Sequence, residues 1–288
     1  MVLRVKKIPL FVKNWMLPVG IFNVIKYRVR VLESYVKYRR ILSKNIELKN
    51  IHSGERCFIV GNAPSISKIE IEKLKDEFVF SISNGYHHPK YSYFKPNYHL
   101  LPALTYTSIK GGMNDEAAVR WFKEMDKEIG SAKLILSVKQ IDLVGKYSLF
   151  SRRDVYYMDT SAKDYHDIDL TKTIGEIWSA PQIAIQVAMY MGFKEIYLLG
   201  VDHNSICSHK YDYFFDAQRV MKFKDASVDE NRNIVDSLRE RFLVHEKLFK
   251  VYELLANAAI FKRVKIINLS EESMVDCFER DSFDKVVK

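Results

Sequence analysis

Cysteine is scarce in this chain: Cys57, Cys207 and Cys277 among 288 residues, in no metal-like spacing. That excludes a disulfide framework, leaves no legible zinc site and points to a reducing compartment. Acidic residues are missing from one region. Residues 1–40 hold ten Lys or Arg and one acid, Glu33, so the formal net charge of +9 sits there and the remaining 248 residues are close to neutral. A nucleic-acid binder would carry a basic face on its folded domain, so no nucleic-acid partner is expected. An uninterrupted apolar run of about 20 residues, the length a spanning helix needs, is also lacking. The stretch 8–25 is broken by Lys13, Asn14, Pro18, Gly20 and Asn23. It has neither the clean apolar core nor the small-residue cleavage site of a secretory signal. Internal repeats and low-complexity tracts are absent, and an apolar share of 48% excludes wholesale disorder.

What the basic segment does contain is aromatic and aliphatic: Leu10, Phe11, Trp15, Met16, Leu17, Ile21, Phe22, Ile25, Tyr27, Tyr35 and Tyr38, with Lys6 and Lys7 ahead and Lys26, Arg28 and Arg30 behind. A basic segment bearing Trp and Phe fits the surface of an anionic membrane, and a place on the inner, cytoplasmic face of the cell membrane is expected. The alternative is a basic helix packed on its own domain or on a partner. Residues 1–50 are read as this arm and its linker, 51–270 as the catalytic domain and 271–288 as a charged surface tail.

Strand-like and helix-like segments alternate after the arm. Strands are predicted at 56–60, 78–82, 98–101, 133–138, 155–158, 195–199 and 264–268. Helices are predicted at 69–74, 116–129, 181–191 and 233–259. Such alternation predicts an α/β fold, Rossmann-like, with a mostly parallel sheet and helices on both faces. Segment 203–235 breaks the rhythm after a strand's carboxyl end, where a lid or acceptor-binding element would sit.

The richest stretch is Cys57-Phe58-Ile59-Val60-Gly61-Asn62-Ala63-Pro64-Ser65. An apolar strand ends in a sharp turn, and Ser67 with Glu70 has capping-box spacing for a following helix. Ligands of open parallel sheets bind outside the carboxyl ends of strands. Asn62 and Asn84 follow the first two strands, and their amides could hold a nucleotide or could bond their own turns. Ser179-Ala180-Pro181-Gln182 opens a helix with capping-box spacing, either a phosphate site or a well-capped core helix. Asp202 and His203 end another strand, as acid/base groups, ligands or loop formers. Tyr211 and Tyr213 follow in the insertion, with hydroxyls able to meet a departing phosphate. His245 shares a helical stripe with Leu238, Phe242, Phe249 and Tyr252, which reads first as a core position.

The order of Gly61-Asn62-Ala63-Pro64-Ser65, Ser83-Asn84, Ser179-Ala180 and Lys194-Glu195-Ile196-Tyr197-Leu198-Leu199-Gly200-Val201-Asp202 resembles the bacterial sialyltransferases of glycosyltransferase family 42. It is also similar to a related hydroxymethylpterin diphosphokinase-like group found in surface-polysaccharide pathways. The resemblance covers about residues 55–270. It implies a metal-independent inverting transfer from a CMP-linked sugar, with no cofactor, to a lipid-linked or surface-glycan acceptor of lipopolysaccharide or capsule. Gly61, Asn62, Ala63, Ser65, Asn84, Ser179, Ala180 and Asp202 would then surround the nucleotide. Tyr211 and Tyr213 would stabilise the leaving phosphate, and His245 would be the general base. A homo-oligomer is compatible with it. Departures are Ala63 for a family Gly, Glu176 and Trp178 where the family has Arg, Ala180 for Gly, and His203-Asn204 where a Tyr is expected. Two other readings are an ATP-dependent diphosphokinase, which would need carboxylates for Mg²⁺ at the rim, and a non-catalytic nucleotide-binding assembly protein.

Overall fold

The computed structural model describes residues 19–102, 115–210, 212–216, 229, 231 and 233–287. Among them, nine strands form one parallel sheet: β1 Arg56–Val60, β2 Phe78–Ile82, β3 Tyr98–Leu101, β4 Lys133–Ser137, β5 Val155–Ala162, β6 Thr173–Gly175, β7 Glu195–Leu199, β8 Lys265–Asn268 and β9 Glu279–Arg280. The spatial order is β6-β5-β4-β3-β2-β1-β7-β8-β9. All neighbouring pairs run parallel. This is the α/β, Rossmann-like architecture expected from the alternation.

The five long central strands are almost continuously apolar because both of their faces are covered. Cys57 and Ile59 join one core with Phe80, Leu100, Ile183, Val187 and Leu255. Phe58 and Val60 point the opposite way into a second core with Val79, Leu101, Phe122 and Leu134. This period of two assigns successive side chains to the two faces. Each fully buried side chain of this size contributes about 1.5–3 kcal/mol. The principal helices are α1 Val19–Leu42, α2 Asp115–Glu128, α3 Ile141–Lys146, α4 Ala180–Met191 and α5 Leu238–Lys262. Helices α4 and α5 cover the first face and α2 covers the second.

Several expectations are corrected. The chain after Ser65 forms two short 3-10 turns, Pro64–Lys68 and Ile71–Leu74, not a helix over 69–74 with a Ser67–Glu70 box. Ile66 and Ile71 are both buried, and an extended Ile69 between the turns lets both reach the core. The presumed linker is also core: Leu42 and Leu48 are fully buried, and Asn45 Nδ2 donates to the Tyr157 and Leu170 carbonyls. The C-terminal stretch is no surface tail, since Val275, Phe278, Phe283 and Val287 are buried and β9 extends the sheet. The arm splits. Residues 1–18 lie outside the described residues, whereas α1 packs on its own domain along β5. Tyr27 Oη accepts from the Lys163 N–H (2.6 Å), Arg30 donates to the Ser161 carbonyl, and Ser34 Oγ donates to Asp159 Oδ2 (2.5 Å). Asp159 is buried and also accepts from Ser161 and Thr173 hydroxyls, so its charge is fully hydrogen-bonded. No described helix is long and apolar enough to cross a membrane.

The strand order reverses between β1 and β7, and there the two exit loops touch. Gly61 N–H donates to the Leu199 carbonyl (2.7 Å) and Ala63 N–H to the Gly200 carbonyl (3.1 Å). A Cβ on Gly61 would lie 2.2 Å from the Gly200 carbonyl oxygen. Gly200 itself has φ +63°, a conformation that glycine adopts without a Cβ penalty. Gly61→Ala should therefore destabilise the fold by about 2–3 kcal/mol. Gly145→Ala, which meets nothing within 4 Å, should not. Urea unfolding of the two variants checks this.

Candidate functional site

Three strand ends meet at this reversal point, and the loop after β7 links them to the start of α4 and to α5. The Asn62 side chain reaches from the β1 loop toward β2, where Nδ2 donates to the Ile82 carbonyl (3.2 Å). Its Oδ1 is buried with no partner among the described residues. That oxygen lies 3.3 Å from where a Cβ on Gly85 would stand, so the small residue after Asn84 makes room for it. A buried acceptor left unpaired costs about 1–3 kcal/mol, and a ligand donor would recover it.

Asn84 is also at the rim, but its Oδ1 accepts from Trp121 Nε1 (2.8 Å). The Asn84 carbonyl accepts from the His87 N–H, as a turn residue's would. Ser65 and Asp202 form a closed pair. Ser65 Oγ donates to Asp202 Oδ1 (2.5 Å) and Ser65 N–H to Oδ2 (3.3 Å). Burial raises the Asp202 carboxyl above its ordinary value despite those bonds. Asp202 thus ties the β7 loop to the β1 loop.

His203 faces the other way. Its backbone is left-handed (φ +50°), rare for a residue with a Cβ and a mark of an over-determined position. Its Nε2 shares a 2.8 Å hydrogen bond with the Tyr252 hydroxyl, and that hydroxyl shares another with Ser179 Oγ (3.1 Å). Burial first, and the nearby His245 second, push the His203 imidazole down from 6.5 to about 4. It is neutral at pH 7.

The start of α4 is capped from within. Gln182 Oε1 accepts the N–H groups of Trp178 (2.8 Å) and Ser179 (3.1 Å), Gln182 Nε2 donates to the Leu248 carbonyl, and Pro181 has no N–H. The Ser179 N–H, one of the donors expected to face a phosphate, is therefore already used. Ser179 and Ala180 are half-buried, and Trp178 is exposed with Lys247 Nζ 4.6 Å from its ring centroid.

His245 is not in hydrocarbon. The stripe that suggested a core position opens outward at its start: Leu238 and Phe242 are 58% and 55% exposed, while only Tyr252 is fully buried. His245 Nδ1 lies 2.8 Å from the Arg241 carbonyl, which can only accept, so Nδ1 carries the hydrogen. Nε2, the other ring nitrogen, lies 3.3 Å from Ser205 Oγ in the loop after β7. Arg241 fixes that loop as well, its Nη2 donating to the carbonyls of Ser205, Ile206 and Ser208 (2.5–2.7 Å).

The insertion reaches over the reversal point. Lys210 and Asn233 pair at its base, and the Phe214 N–H donates to the Asn62 carbonyl (3.1 Å). Tyr213 is the adjoining residue, half-buried and stacked on Phe215 at 5.0 Å. Tyr211 lies outside the described residues. The structure ties Gly61, Asn62, Ala63, Ser65 and Asp202 together where the β1 and β7 loops touch, and the loop after β7 reaches Ser179 through His203 and Tyr252 and His245 through Ser205. Tyr213 precedes the residue whose N–H meets the Asn62 carbonyl. Asn84 is given a structural partner. The sequence reading missed Tyr252 and Arg241, which position the two imidazoles. A Tyr in an apolar helical stripe, whose hydroxyl needs a partner once buried, is the signal that could have found the first. Among the described residues, no group of three or more His, Cys, Asp or Glu is placed to hold a metal ion.

No family model and no curated protein matches the chain. Solved structures are similar to it. One is the MAf glycosyltransferase from Magnetospirillum magneticum AMB-1, with a TM-score of 0.49 and 18% identity over 81% of this chain. The chain spans 35% of that protein's length. Another is the sialyltransferase CstII from Campylobacter jejuni in complex with a substrate analogue, cytidine-5'-monophosphate, with a TM-score of 0.46 and 18% identity over 79% of this chain and 85% of that one. With TM-scores below 0.5, these likenesses carry no argument about activity.

Burial holds three described imidazoles below their ordinary value, His203 beside the site and His99 and His88 elsewhere, and the first two are lowered furthest. His203 is neutral until about pH 4, and His99, buried in β3 against Ser81, until about 3. In the unfolded chain both take up a proton near pH 6.5. Their stabilisation is therefore complete above about pH 6.5, falls as the pH drops below that value, and levels off only at the folded values. The loss should be about 2 kcal/mol per imidazole at pH 5. Urea unfolding at pH 7.5 and 5 should show it, and His203→Gln should remove about 2 kcal/mol of the difference.

Proposed function

We propose that the chain is a glycosyltransferase that takes a nucleotide-activated sugar, CMP-linked, and transfers it to an acceptor hydroxyl of a bacterial surface glycan. One observation supports this above all: the loop after β7 is tied on one side to the β1 loop, which carries the unpaired buried amide oxygen of Asn62, and on the other, through Ser205, to Nε2 of the His245 imidazole. The amide oxygen suits a ribose hydroxyl or a base amino group, either of which can donate to it. The imidazole suits proton abstraction from an alcohol, the step that turns a weak oxygen nucleophile into a strong one.

In this reading the nucleotide lies across the Gly61–Gly200 contact, where the absence of side chains lets a ligand approach the backbone. Asn62 and the β1 loop hold the nucleoside. His245 Nε2 takes the acceptor proton as the acceptor oxygen forms its bond to the sugar carbon. The bond from that carbon to the phosphate oxygen breaks, and the leaving nucleotide carries the electron pair. The Tyr211 and Tyr213 hydroxyls, carried by the insertion, donate to the leaving phosphate. Asp202 keeps the two loops together, with both of its oxygens bonded to Ser65. That same commitment argues against the diphosphokinase reading, which needs rim carboxylates for Mg²⁺.

Calorimetric titration with CMP, UDP, GDP and ATP tests the donor: CMP should bind tightest, and an equal or absent response to all four removes the assignment. Asn62→Ala should weaken CMP binding by about tenfold. His245→Ala should lower release of CMP from a CMP-activated nonulosonic acid, in the presence of acceptor, by about 10²–10⁴-fold with CMP affinity unchanged. Undiminished turnover would remove His245 as the base.

A further inference from the structure

Helix α1 has two faces, and the domain uses only one. Tyr27, Ser34, Tyr38 and Leu42 recur at helical spacing on the side turned to the sheet edge, and none of the four is exposed. On the opposite side Ile21, Ile25, Leu32 and Val36 are 46–61% exposed, and Tyr35 flanks them. These positions fall at i, i+4, i+11 and i+15, within one stripe of a 3.6-residue helix. A run of exposed large apolar side chains along one helix is not the scattered exposure of an ordinary surface.

The charges beside this stripe decide what covers it. The helix carries Lys26, Arg28, Arg30, Lys37, Arg39 and Arg40 against the single acid Glu33. Arg28 and Arg39 fall within the stripe itself, Arg40 borders it, and Lys26 and Lys37 stand further round the helix. A second copy of the chain would bring the same cations face to face, with one acid per copy to offset them. An anionic lipid surface supplies the opposite charge and an apolar interior together, and long Lys and Arg side chains reach headgroups while their stems lie along apolar surface. The 18 residues ahead of α1 add Arg4, Lys6, Lys7 and Lys13 and no acid.

The direction of the helix adds a second consequence. Tyr27 meets Lys163, Arg30 meets Ser161, Ser34 meets Asp159 and Lys44 meets Asp154. Ascending residues in α1 meet descending residues in and around β5, so the helix runs antiparallel to the strand. Its first turns therefore stand at the carboxyl ends of the strands, the end at which the candidate site opens.

We propose that the outer face of α1 is a docking surface for an anionic bilayer, with Ile21, Ile25, Leu32 and Val36 seated among the acyl chains and the flanking cations on the headgroups. The contact holds the rim beside the headgroups, not across the domain from them. It stands apart from the transferase reading and survives if that reading fails.

The test is cosedimentation of the full chain with vesicles, using Ile25→Asp/Leu32→Asp as the variant. Both side chains point away from the domain, so an unchanged melting temperature certifies that the variant is folded; Asp159, which removal of the helix would uncover, stays covered. Vesicles of three parts phosphatidylcholine to one part phosphatidylglycerol should pull down the wild type at least about tenfold better than pure phosphatidylcholine. Binding should fall at about 1 M salt, where charges are screened beyond about 3 Å. The double variant should lose most of it. The proposal is overturned if the wild type stays in solution with anionic vesicles, if neutral and anionic vesicles bind it equally, or if the variant binds as well as the wild type. It is equally overturned if sedimentation velocity without lipid shows a dimer that the double variant dissolves, since a second copy would then own the stripe.

Discussion

The contact between Gly61 and Gly200 is the constraint on which the rim depends. A parallel sheet whose strand order reverses opens a crevice at the reversal, because the two adjacent exit loops run to opposite faces. In this chain the floor of that crevice is pulled shut. The sheet ladder continues one step past the ends of β1 and β7 through Gly61 N–H to Leu199 and Ala63 N–H to Gly200. Backbones can come this close only where residue 61 has no Cβ, and the positive φ of Gly200 favours glycine on the other side. The side chains that follow are then set by the fixed backbone: Asn62 toward β2, Asp202 back to Ser65, and His203 across to α5.

Two consecutive residues, Asp202 and His203, divide the rim. The carboxylate closes the β1 side, taking both donors that Ser65 offers, and it leaves Asn62 Oδ1 as the unsatisfied group there. The imidazole closes the α4–α5 side through the Tyr252 hydroxyl, which holds Ser179 as well. A left-handed residue with a Cβ costs about 1–2 kcal/mol, and the ring's fixed partner is what makes that backbone the stable one. Loop geometry on one side of the crevice is thus coupled to helix placement on the other by one peptide unit.

The sheet was legible in the sequence because buried parallel strands are written as unbroken apolar runs. Phe58-Ile59-Val60, Val79-Phe80-Ser81-Ile82 and Ile196-Tyr197-Leu198-Leu199 announce themselves. β6 and β9 were not, since strands of three and two residues carry no period. The C-terminal stretch was misread because Val275, Phe278, Phe283 and Val287 are single apolar residues scattered among charges, and only the sheet edge explains their burial. The turn after Ser65 was misread because Ser67 and Glu70 match a capping box while the burial of Ile66 and Ile71 sets the chain path. At the site, residue types were legible and partners were not. Nothing local says that Asn84 belongs to Trp121, 37 residues away, or that Tyr252 joins Ser179 to His203.

Two imidazoles stand at the loop after β7, and the proposed reaction can use only one as its base. A base must hold a lone pair that an acceptor hydroxyl can approach, and its other nitrogen must be fixed so that the ring does not turn away. His203 fails the first condition. Its Nε2 is engaged by Tyr252, and burial beside a second imidazole drives its affinity for a proton down to about pH 4. His245 meets both conditions. The Arg241 carbonyl holds Nδ1–H, and the partner at Nε2 is a serine hydroxyl at 3.3 Å, a bond long enough for an acceptor alcohol to replace. Arg241 then matters twice: its carbonyl orients the proposed base, and its guanidinium pins the loop that carries Ser205 and, two residues earlier, His203. The neutral His203 also has a part in this scheme without touching substrate. A cation at that position would oppose the positive charge that His245 must take on during proton transfer, and the burial that keeps His203 uncharged removes that opposition.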